Sequence, residues 1–445
     1  MKRRILAGIT SNLLFQIMNA IIQLIGIPLC LNYWGENYYG EWLLLFTIPG
    51  YFSVADFGLG SSSSAEMSMM EESGKTDEIR KMLRSTFWFV VLWGILPFGL
   101  LIVSNYYLPW SSWLNLQVIS IAEFKITFPI LVLYIYLSLF LTMPINFYRV
   151  IKKYHTERYI SAAYKFLEFL VLLILIIRGC GVFGVALGYL VLRMIFFIYL
   201  VLDLTYRTPL FRLFPFEIDF KDMRKIFRPG VASLFIYLGT NIMNQGLNTY
   251  IGITMGSGKL VMFNTIRTFV NLIKQVINIL NLSIYAEYSY AYGSGSKEKL
   301  LKIFRTGMAL NILIGGVGCL GLLFIGPPLI SWWTNGAVVV DHVFYYLFLF
   351  YTFLGTMTAV NFAMLSATNR FKDLGIVFLL LVIFFIVVIS FWMPGTGLTN
   401  TAVLLSCFEL VILFLSLRMV LEILEMGWRD IASKFVPNRD DILFK

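Results

Sequence analysis

The most informative pattern in this sequence is a stripe of polar side chains with helical spacing, formed by Asn264, Arg267, Asn271, Lys274, Asn278 and Asn281. Residues three or four positions apart lie on one face of an α-helix. At 1.5 Å per residue, Arg267 and Lys274 are about 10 Å apart along the helix axis. Each basic side chain costs about 2.5 to 3.5 kcal/mol at the centre of a membrane helix. The stripe therefore predicts either a water-filled cavity or acidic partners on adjacent helices.

Two further stripes consist of amide side chains. They lie in the first and seventh apolar stretches, at Asn12, Gln16, Asn19 and Gln23 and at Asn241, Asn244, Gln245 and Asn248. Amides within lipid can hydrogen-bond to neighbouring helices, for about 2 kcal/mol or less each. They can equally form the wall of a cleft that hydrogen-bonds to hydroxylated ligands. Both interpretations are open at the level of sequence.

A few acidic residues also fall within apolar stretches. Asp56 could titrate, bind a cation or pair with a base, which makes it a candidate for ion coupling. It could equally cap a helix end or lie in a turn. Glu409 has no partner that the sequence indicates, and it is a candidate for ion coupling. Glu168 and Arg193 lie at similar depth in consecutive stretches, which predicts a structural ion pair between them.

The elements that position these residues are predicted from composition. Of the 445 residues, 59% are hydrophobic and 13% are charged, whereas soluble domains carry about 25% charged residues. This balance excludes a soluble enzyme and predicts an all-α integral membrane protein. Apolar runs of membrane-spanning length give twelve predicted transmembrane helices, at 5–31, 41–60, 85–108, 124–148, 161–178, 182–205, 230–255, 259–285, 306–330, 342–367, 373–393 and 398–422.

The basic residues predict how these spans are oriented. Short cytoplasmic loops hold most of the Lys and Arg residues of a membrane protein. With the N-terminus inside, the predicted inner segments hold 28 of the 35 basic residues. We therefore expect a multi-pass membrane protein with both termini cytoplasmic. Its first span is expected to remain as an anchor, because the apolar run is too long for a cleaved signal peptide.

The two halves of the chain resemble each other. A shift of 221 residues places Ala65-Glu66-Met67-Ser68 on Ala286-Glu287-Tyr288-Ser289, and Arg149 on Arg370. Each half contains six predicted spans, so the repeats enter the membrane in the same direction. The sequence therefore predicts two six-helix lobes around a central cleft. The predicted divisions are an N-terminal lobe at 1–204, a cytoplasmic linker at 205–229, a C-terminal lobe at 230–424 and a cytoplasmic tail at 425–445.

The repeat also isolates the two basic residues of the stripe. Arg267 corresponds to Phe46, and Lys274 corresponds to Ser53. The shared architecture therefore does not require these charges, which favours a role for them in function.

Several kinds of chemistry have no residues to support them. The chain has two histidines, His155 and His342, and four cysteines without CxxC spacing, which argues against a metal centre. The segment Ser73-Gly74-Lys75-Thr76 resembles the end of a phosphate-binding loop, but Met69 stands where that loop needs glycine. We expect no cofactor, no metal and no nucleic-acid partner, and we expect a protein that is not an enzyme.

Two segments resemble Wzx-type polysaccharide and O-antigen flippases. One runs from Tyr39-Gly40-Glu41-Trp42 to Asp56-Phe57-Gly58-Leu59, and the other leads from Ile266-Arg267-Thr268 into Ala286-Glu287-Tyr288-Ser289. These flippases belong to the multidrug, oligosaccharidyl-lipid and polysaccharide (MOP) exporter superfamily. The resemblance implies a MATE-like plan of twelve helices in two lobes, with alternating access to a cleft between them.

The resemblance also implies a location, the bacterial cytoplasmic (inner) membrane, and a cargo. This cargo is a sugar repeat unit on an undecaprenyl pyrophosphate carrier, flipped from the cytoplasmic to the outer leaflet for surface polysaccharide biosynthesis. Arg267 and Lys274 would then hold the pyrophosphate, since Arg makes bidentate and Lys point-charge phosphate contacts. The amides of the first, seventh and eighth helices would contact sugar hydroxyls. The expected partners are the bilayer and the lipid-linked oligosaccharide, with a polysaccharide polymerase and chain-length proteins as further candidates.

Two alternatives remain at this stage. One is a cation-coupled multidrug antiporter of the same superfamily, for which a cleft dominated by acids would be typical. A basic cleft repels cationic drugs. The other is a membrane enzyme acting on lipid-linked sugars, which is expected to carry its catalytic residues in a large outer loop. The outer loops predicted here are short.

Overall fold

The computed structural model describes residues 2–55, 58–368, 370–392 and 397–427. Their regular elements are helices, with a short 3-10 turn at Phe52–Val54. The α-helices are α1 (Lys2–Tyr51), α2 (Leu59–Glu72), α3 (Thr76–Tyr107), α4 (Trp110–Trp113), α5 (Ile121–Val150), α6 (Tyr154–Ile177), α7 (Val182–Arg207), α8 (Phe220–Met255), α9 (Ser257–Gly293), α10 (Lys297–Trp333), α11 (His342–Ala367), α12 (Phe371–Trp392) and α13 (Gly397–Leu424).

Local sequence explains where several helices begin. At the start of α5, the Ser120 hydroxyl accepts a hydrogen bond from the backbone N–H of Glu123 at 3.1 Å. At the start of α11, the Asp341 carboxylate accepts one from the N–H of Phe344 at 3.1 Å. Such caps satisfy N–H groups that have no partner within the helix. Between α8 and α9, Gly256 adopts a φ of 88°, a backbone conformation that favours glycine.

The long helices agree with a membrane protein. Within the described residues, ten helices are long and apolar enough to cross a membrane, compared with twelve predicted spans. One difference arises in α1, which covers the first two predicted spans and is interrupted at Gly35, whose φ of 73° and ψ of 170° are not helical. The other is α8, where several amides lower the hydropathy. The prediction of an all-α membrane fold is confirmed, and the twelve-helix count is compatible with it.

The chain divides into two compact units, one comprising residues 1–261 and the other residues 262–445. The division falls near the start of α9, so that α8 packs within the first unit against α1 and α2. The lobe limits expected from the repeat, 1–204 and 230–424, stay a prediction. Residues 428–445 of the expected tail lie outside the described residues.

The first unit is organised around α5, which packs against α2, α3 and α7. Its core side chains include Phe128 and Phe147, which are fully buried. Part of the expected linker packs on this core: the Phe211 ring lies 5.1 Å from that of Phe147, and Arg84 of α3 forms an ion pair with Glu217 at 3.2 Å. The beginning of the linker is therefore held against the first unit.

The second unit is built on α11, which packs against α10 and α13. At one end of these helices, a cluster of buried apolar side chains includes Tyr288, Phe304, Met364 and Val420. Helices within a bilayer are held together by close packing of such side chains rather than by exclusion of water. This core fixes the positions of α9, α10, α11 and α13, which carry the charged residues described below.

Glu41 is an acidic residue whose role the sequence analysis missed. It is 1% exposed, and its carboxylate accepts hydrogen bonds from the backbone N–H groups of Val118 and Ile119, both at 2.7 Å, and from that of Gln117. Three donors converge on one carboxylate because residues 117–119 form the irregular segment between α4 and α5. Glu41 thus ties α1 to this connection.

Replacement of Glu41 by glutamine is expected to lower the free energy of unfolding by about 2 to 3 kcal/mol, because hydrogen bonds to a charged acceptor are the strong ones. The measurement is thermal unfolding in detergent. Glu78→Gln is the matched control, since Glu78 forms only an exposed ion pair with Lys75, and it should change stability by about 0.5 kcal/mol or less. Equal stability of the two variants would contradict the role assigned to Glu41.

Candidate functional site

The two basic residues of the predicted stripe lie on α9, a continuous helix of 37 residues. Arg267 is half-buried in the second unit. Its guanidinium lies 5.0 Å from the centre of the Phe263 ring, and one Nη group donates a hydrogen bond to Oδ1 of Asn264. A neighbouring aromatic ring and an amide oxygen both favour a cation. These contacts orient the guanidinium.

Lys274 lies two turns further along the same helix. Its Nζ atom is 4.7 Å from the centre of the Tyr351 ring on α11. A methyl group added at Gly355, also on α11, would lie 3.9 Å from Cε of Lys274 and 3.6 Å from Oε1 of Glu409. The absence of a side chain at Gly355 thus leaves space between the ammonium-bearing chain and the carboxylate.

Glu409, on α13, is the acid nearest to this site in the described part of the second unit, and it is 9% exposed. The Thr358 hydroxyl lies near this carboxylate and donates a hydrogen bond to the Leu354 carbonyl at 3.3 Å. Lys274 and Glu409 attract each other electrostatically, but the structure shows no direct contact within 4 Å between them. Arg267, Lys274 and Glu409 carry a combined charge of +1, so the cluster is cationic as a whole.

The amides of the α9 stripe divide into different environments. Asn264 is 7% exposed and holds Arg267. Asn281 is buried and exchanges hydrogen bonds of 3.1 and 3.2 Å with Asn311 on α10. Asn271 is half-buried, and Asn278 is exposed. Asn281 therefore joins two helices, whereas Asn264 belongs to the basic site.

The amides of α1 and α8 lie in the first unit. Asn241 donates hydrogen bonds to the Gly50 carbonyl and to the Ser53 hydroxyl, each at 3.1 Å, so this amide binds one helix to another. The other members differ in exposure: Asn12, Gln16, Asn19 and Asn248 are half-buried, and Gln23 and Asn244 are exposed.

The acids singled out from sequence have different outcomes. Asp56 lies outside the described residues. Glu409 lies beside Lys274, as described above. The expected ion pair between Glu168 and Arg193 is present at 3.2 Å. Lys165 also contacts Glu168, at 2.7 Å, so this buried carboxylate forms ion pairs with two basic side chains.

Two parts of the second-unit site had not been expected. Tyr351 and Gly355 are one turn apart on α11. They belong to the site because the Tyr351 ring contacts Lys274 of α9 and α11 packs against α13. In sequence they resemble many other residues of apolar helices. No signal in the chain itself distinguishes them.

Comparisons with known proteins agree on fold. A family model described as "Polysaccharide biosynthesis protein" matches residues 5–285. A multidrug resistance MATE family transporter of the MOP superfamily, in an inward-facing conformation, is similar with a TM-score of 0.71 and 15% identity, over 91% of this chain and 99% of that chain.

A second solved structure is a MOP superfamily transporter from Pyrococcus furiosus, described as having a binding pocket of reverse polarity that suggests a different function. Its TM-score is 0.61 at 14% identity, over 95% of each chain. By sequence, no curated protein matches the chain. At such low identity, the likeness to solved structures establishes only the fold. The match to the family model rests on the amino-acid sequence of residues 5–285.

Proposed function

Since the chain belongs to the polysaccharide biosynthesis protein family, we propose that it flips undecaprenyl pyrophosphate-linked oligosaccharide repeat units from the cytoplasmic to the outer leaflet by alternating access. Its fold is that of MOP superfamily transporters, and transport is therefore the general class of its activity. The cargo, its direction and the mechanism are the proposal. The location proposed is the bacterial inner membrane, where this cargo would be flipped. Both termini are proposed to be cytoplasmic, as the distribution of basic residues favours.

The observation that carries this proposal is the cationic cluster formed by Arg267 and Lys274 of α9 with Glu409 of α13. Arg267 and Lys274 lie on one face of a helix long enough to span a membrane. Basic residues are costly at this position, and they typically mark substrate or ion pathways. A pyrophosphate carries negative charge that both side chains can bind, with Arg267 offering a planar fork and Lys274 a point charge. In this proposal Asn264 keeps the guanidinium oriented, and amides such as Asn271 contact sugar hydroxyls.

A cation-coupled antiporter is the second candidate. The observation that favours it is Glu409, a buried acid beside Lys274, together with the likeness of the fold to MATE transporters. Against it stands the combined charge of the cluster, since a site with a net charge of +1 repels cationic drugs. The reverse polarity described for the Pyrococcus furiosus transporter also indicates that pocket charge differs among proteins of this fold.

The test is transfer of a fluorescent undecaprenyl pyrophosphate oligosaccharide across proteoliposomes. The native chain is expected to move this lipid, and the variant Arg267→Ala, Lys274→Ala is expected to lose transfer while still inserting. The control is Lys297→Ala, Lys299→Ala, which removes the same charge from the exposed start of α10. If the native chain moves small cations against a gradient and no lipid-linked sugar, the antiporter replaces the flippase.

A further inference from the structure

A pocket of about 450 Å³ lies between α12 and α13 in the second unit. Its charged lining residues are Arg370, Arg418 and Glu422, and its apolar lining residues are Leu374, Val377, Leu415, Met419 and Ile423. None of these residues belongs to the cluster of Arg267, Lys274 and Glu409. The pocket therefore represents a separate site with its own chemistry.

The lining residues are arranged as a gradient from charged to apolar. The helices α12 and α13 are consecutive, pack together and are joined by a short connection, so they run antiparallel. Arg370 stands just before α12, and Glu422 lies in the last turn of α13, so both mark the same end. Val377 and Leu415 lie further into the two helices. The pocket thus has a charged mouth at a helix end and an aliphatic wall that continues toward the middle of the span.

This gradient matches the shape and chemistry of a lipid. The ends of membrane-spanning helices lie at the headgroup layer, and basic pockets between such helices bind phosphorylated headgroups. The two arginines and one glutamate give the mouth a charge of +1, which complements a phosphate monoanion. The wall formed by Leu374, Val377 and Leu415 suits the first part of a hydrocarbon chain.

The internal repeat provides a comparison for Arg370. Its counterpart in the first unit, Arg149, forms two hydrogen bonds of 3.0 and 3.3 Å with the buried carboxylate of Glu157. The position equivalent to Glu157 in the second half is Phe378. Within the described residues, no carboxylate lies within 4 Å of the Arg370 guanidinium. Among the described residues, Arg370 thus lacks an internal anion like the one that binds Arg149.

Arg418 is similarly available to a ligand. Its Nε atom forms a single contact with Glu422 at 3.3 Å, and both side chains are 64% exposed. An exposed ion pair within one helix is worth about 0.3 to 0.5 kcal/mol, which a phosphate can readily replace. We propose that this pocket binds the phosphate headgroup of an anionic lipid, with Arg370 and Arg418 as the binding residues.

Anionic phospholipids and isoprenoid diphosphates both combine a phosphate headgroup with a hydrocarbon chain. Photocrosslinking can determine which of the two binds in this pocket. The full-length chain in phosphatidylcholine nanodiscs is exposed to photoreactive phosphatidylglycerol, phosphatidylcholine or farnesyl diphosphate, and labelled peptides are identified by mass spectrometry. Labelling of the segments 374–377 and 415–423 is expected to be about 10-fold stronger for phosphatidylglycerol than for phosphatidylcholine. Stronger labelling by farnesyl diphosphate than by phosphatidylglycerol would identify the ligand as an isoprenoid carrier lipid.

Three variants complete the test. Arg370→Ala, Arg418→Ala is expected to lower the anionic labelling about 10-fold, and Glu422→Gln is expected to raise it. Lys299→Ala removes a charge near the same helix ends, since the neighbouring Lys297 contacts Glu425 after α13, and it should change labelling less than about 2-fold. Equal labelling by the two phospholipids, or an equal loss in Lys299→Ala, would overturn the proposal. Neither result depends on Arg267 or Lys274, so the proposed transport function is tested separately.

Discussion

Replacement of Lys274 by methionine is expected to abolish transfer of the lipid-linked oligosaccharide and to lower the free energy of unfolding by about 2 to 3 kcal/mol. The loss of stability is expected because Glu409, at 9% exposure, would lose the nearby ammonium, and a buried carboxylate without a compensating charge is costly whether it stays ionised or takes up a proton. The loss of transfer is expected because Lys274 is one of two cations proposed to hold the pyrophosphate. The measurements are proteoliposome transfer and thermal unfolding in detergent.

The double variant Lys274→Met, Glu409→Gln separates these two effects. It removes both charges from the space beside Gly355, so stability is expected to recover to within about 1 kcal/mol of the native chain. Transfer is not expected to recover, since the cargo would still lack one of its cations. Recovery of transfer together with stability would mean that Lys274 acts only as the counter-ion of Glu409, and the proposed cargo site would then be wrong.

Glu409→Gln alone provides the matched comparison. It leaves the net charge of the cluster at +2 and removes the internal anion that competes for Lys274. Transfer is expected to continue in this variant. A complete loss of transfer in Glu409→Gln, with normal folding, would instead favour the antiporter, for which a buried acid is the essential residue.

The sequence predicted the helical architecture well because burial in lipid leaves a strong and local signal. Long apolar runs must form helices, since the bilayer core offers no partner for unpaired backbone groups. The differences occur where one or a few residues alter this pattern. Gly35 interrupts α1 with a non-helical backbone, and the amides of α8 lower its hydropathy enough to separate it from the ten apolar helices of the described residues.

The candidate site was less predictable because it depends on which helix faces meet. The spacing of Arg267 and Lys274 places them on one face of α9, as the α-helix requires. Their neighbours Tyr351, Gly355 and Glu409 come from α11 and α13, and no local pattern links these helices to α9. Likewise, the sequence shows Glu41 only as an acidic residue at the end of a predicted span. Its three backbone hydrogen-bond donors come from a segment more than 70 residues away.

The Glu168–Arg193 pair is an instructive intermediate case, since similar depth in consecutive helices was enough to predict it. The structure adds what depth alone does not give. The Arg193 guanidinium lies 3.6 Å from the centre of the Tyr134 ring and donates a hydrogen bond to the Tyr164 hydroxyl at 2.8 Å. Both charged side chains are nearly buried, at 8% and 9% exposure. A buried pair with this many supporting contacts is expected to be structural.

Replacement of Arg193 by leucine is therefore expected to lower the free energy of unfolding by about 3 to 5 kcal/mol, because Glu168 would be left as a buried carboxylate. Lys165 contacts the same carboxylate at 2.7 Å, and its side chain is 44% exposed, so it compensates only part of the loss. The double variant Arg193→Leu, Glu168→Leu should recover most of the stability, since well-packed apolar side chains can replace a buried ion pair.

Thermal unfolding of the two variants in detergent measures this recovery, and transfer in proteoliposomes reveals whether the pair has any other role. If the pair is structural, transfer by the double variant returns together with its stability. A stable double variant that no longer transfers the lipid-linked oligosaccharide would assign a function to Glu168 or Arg193 in the first unit. The transport pathway would then require charged residues in both halves of the repeat, and the cluster on α9 would be only one part of it.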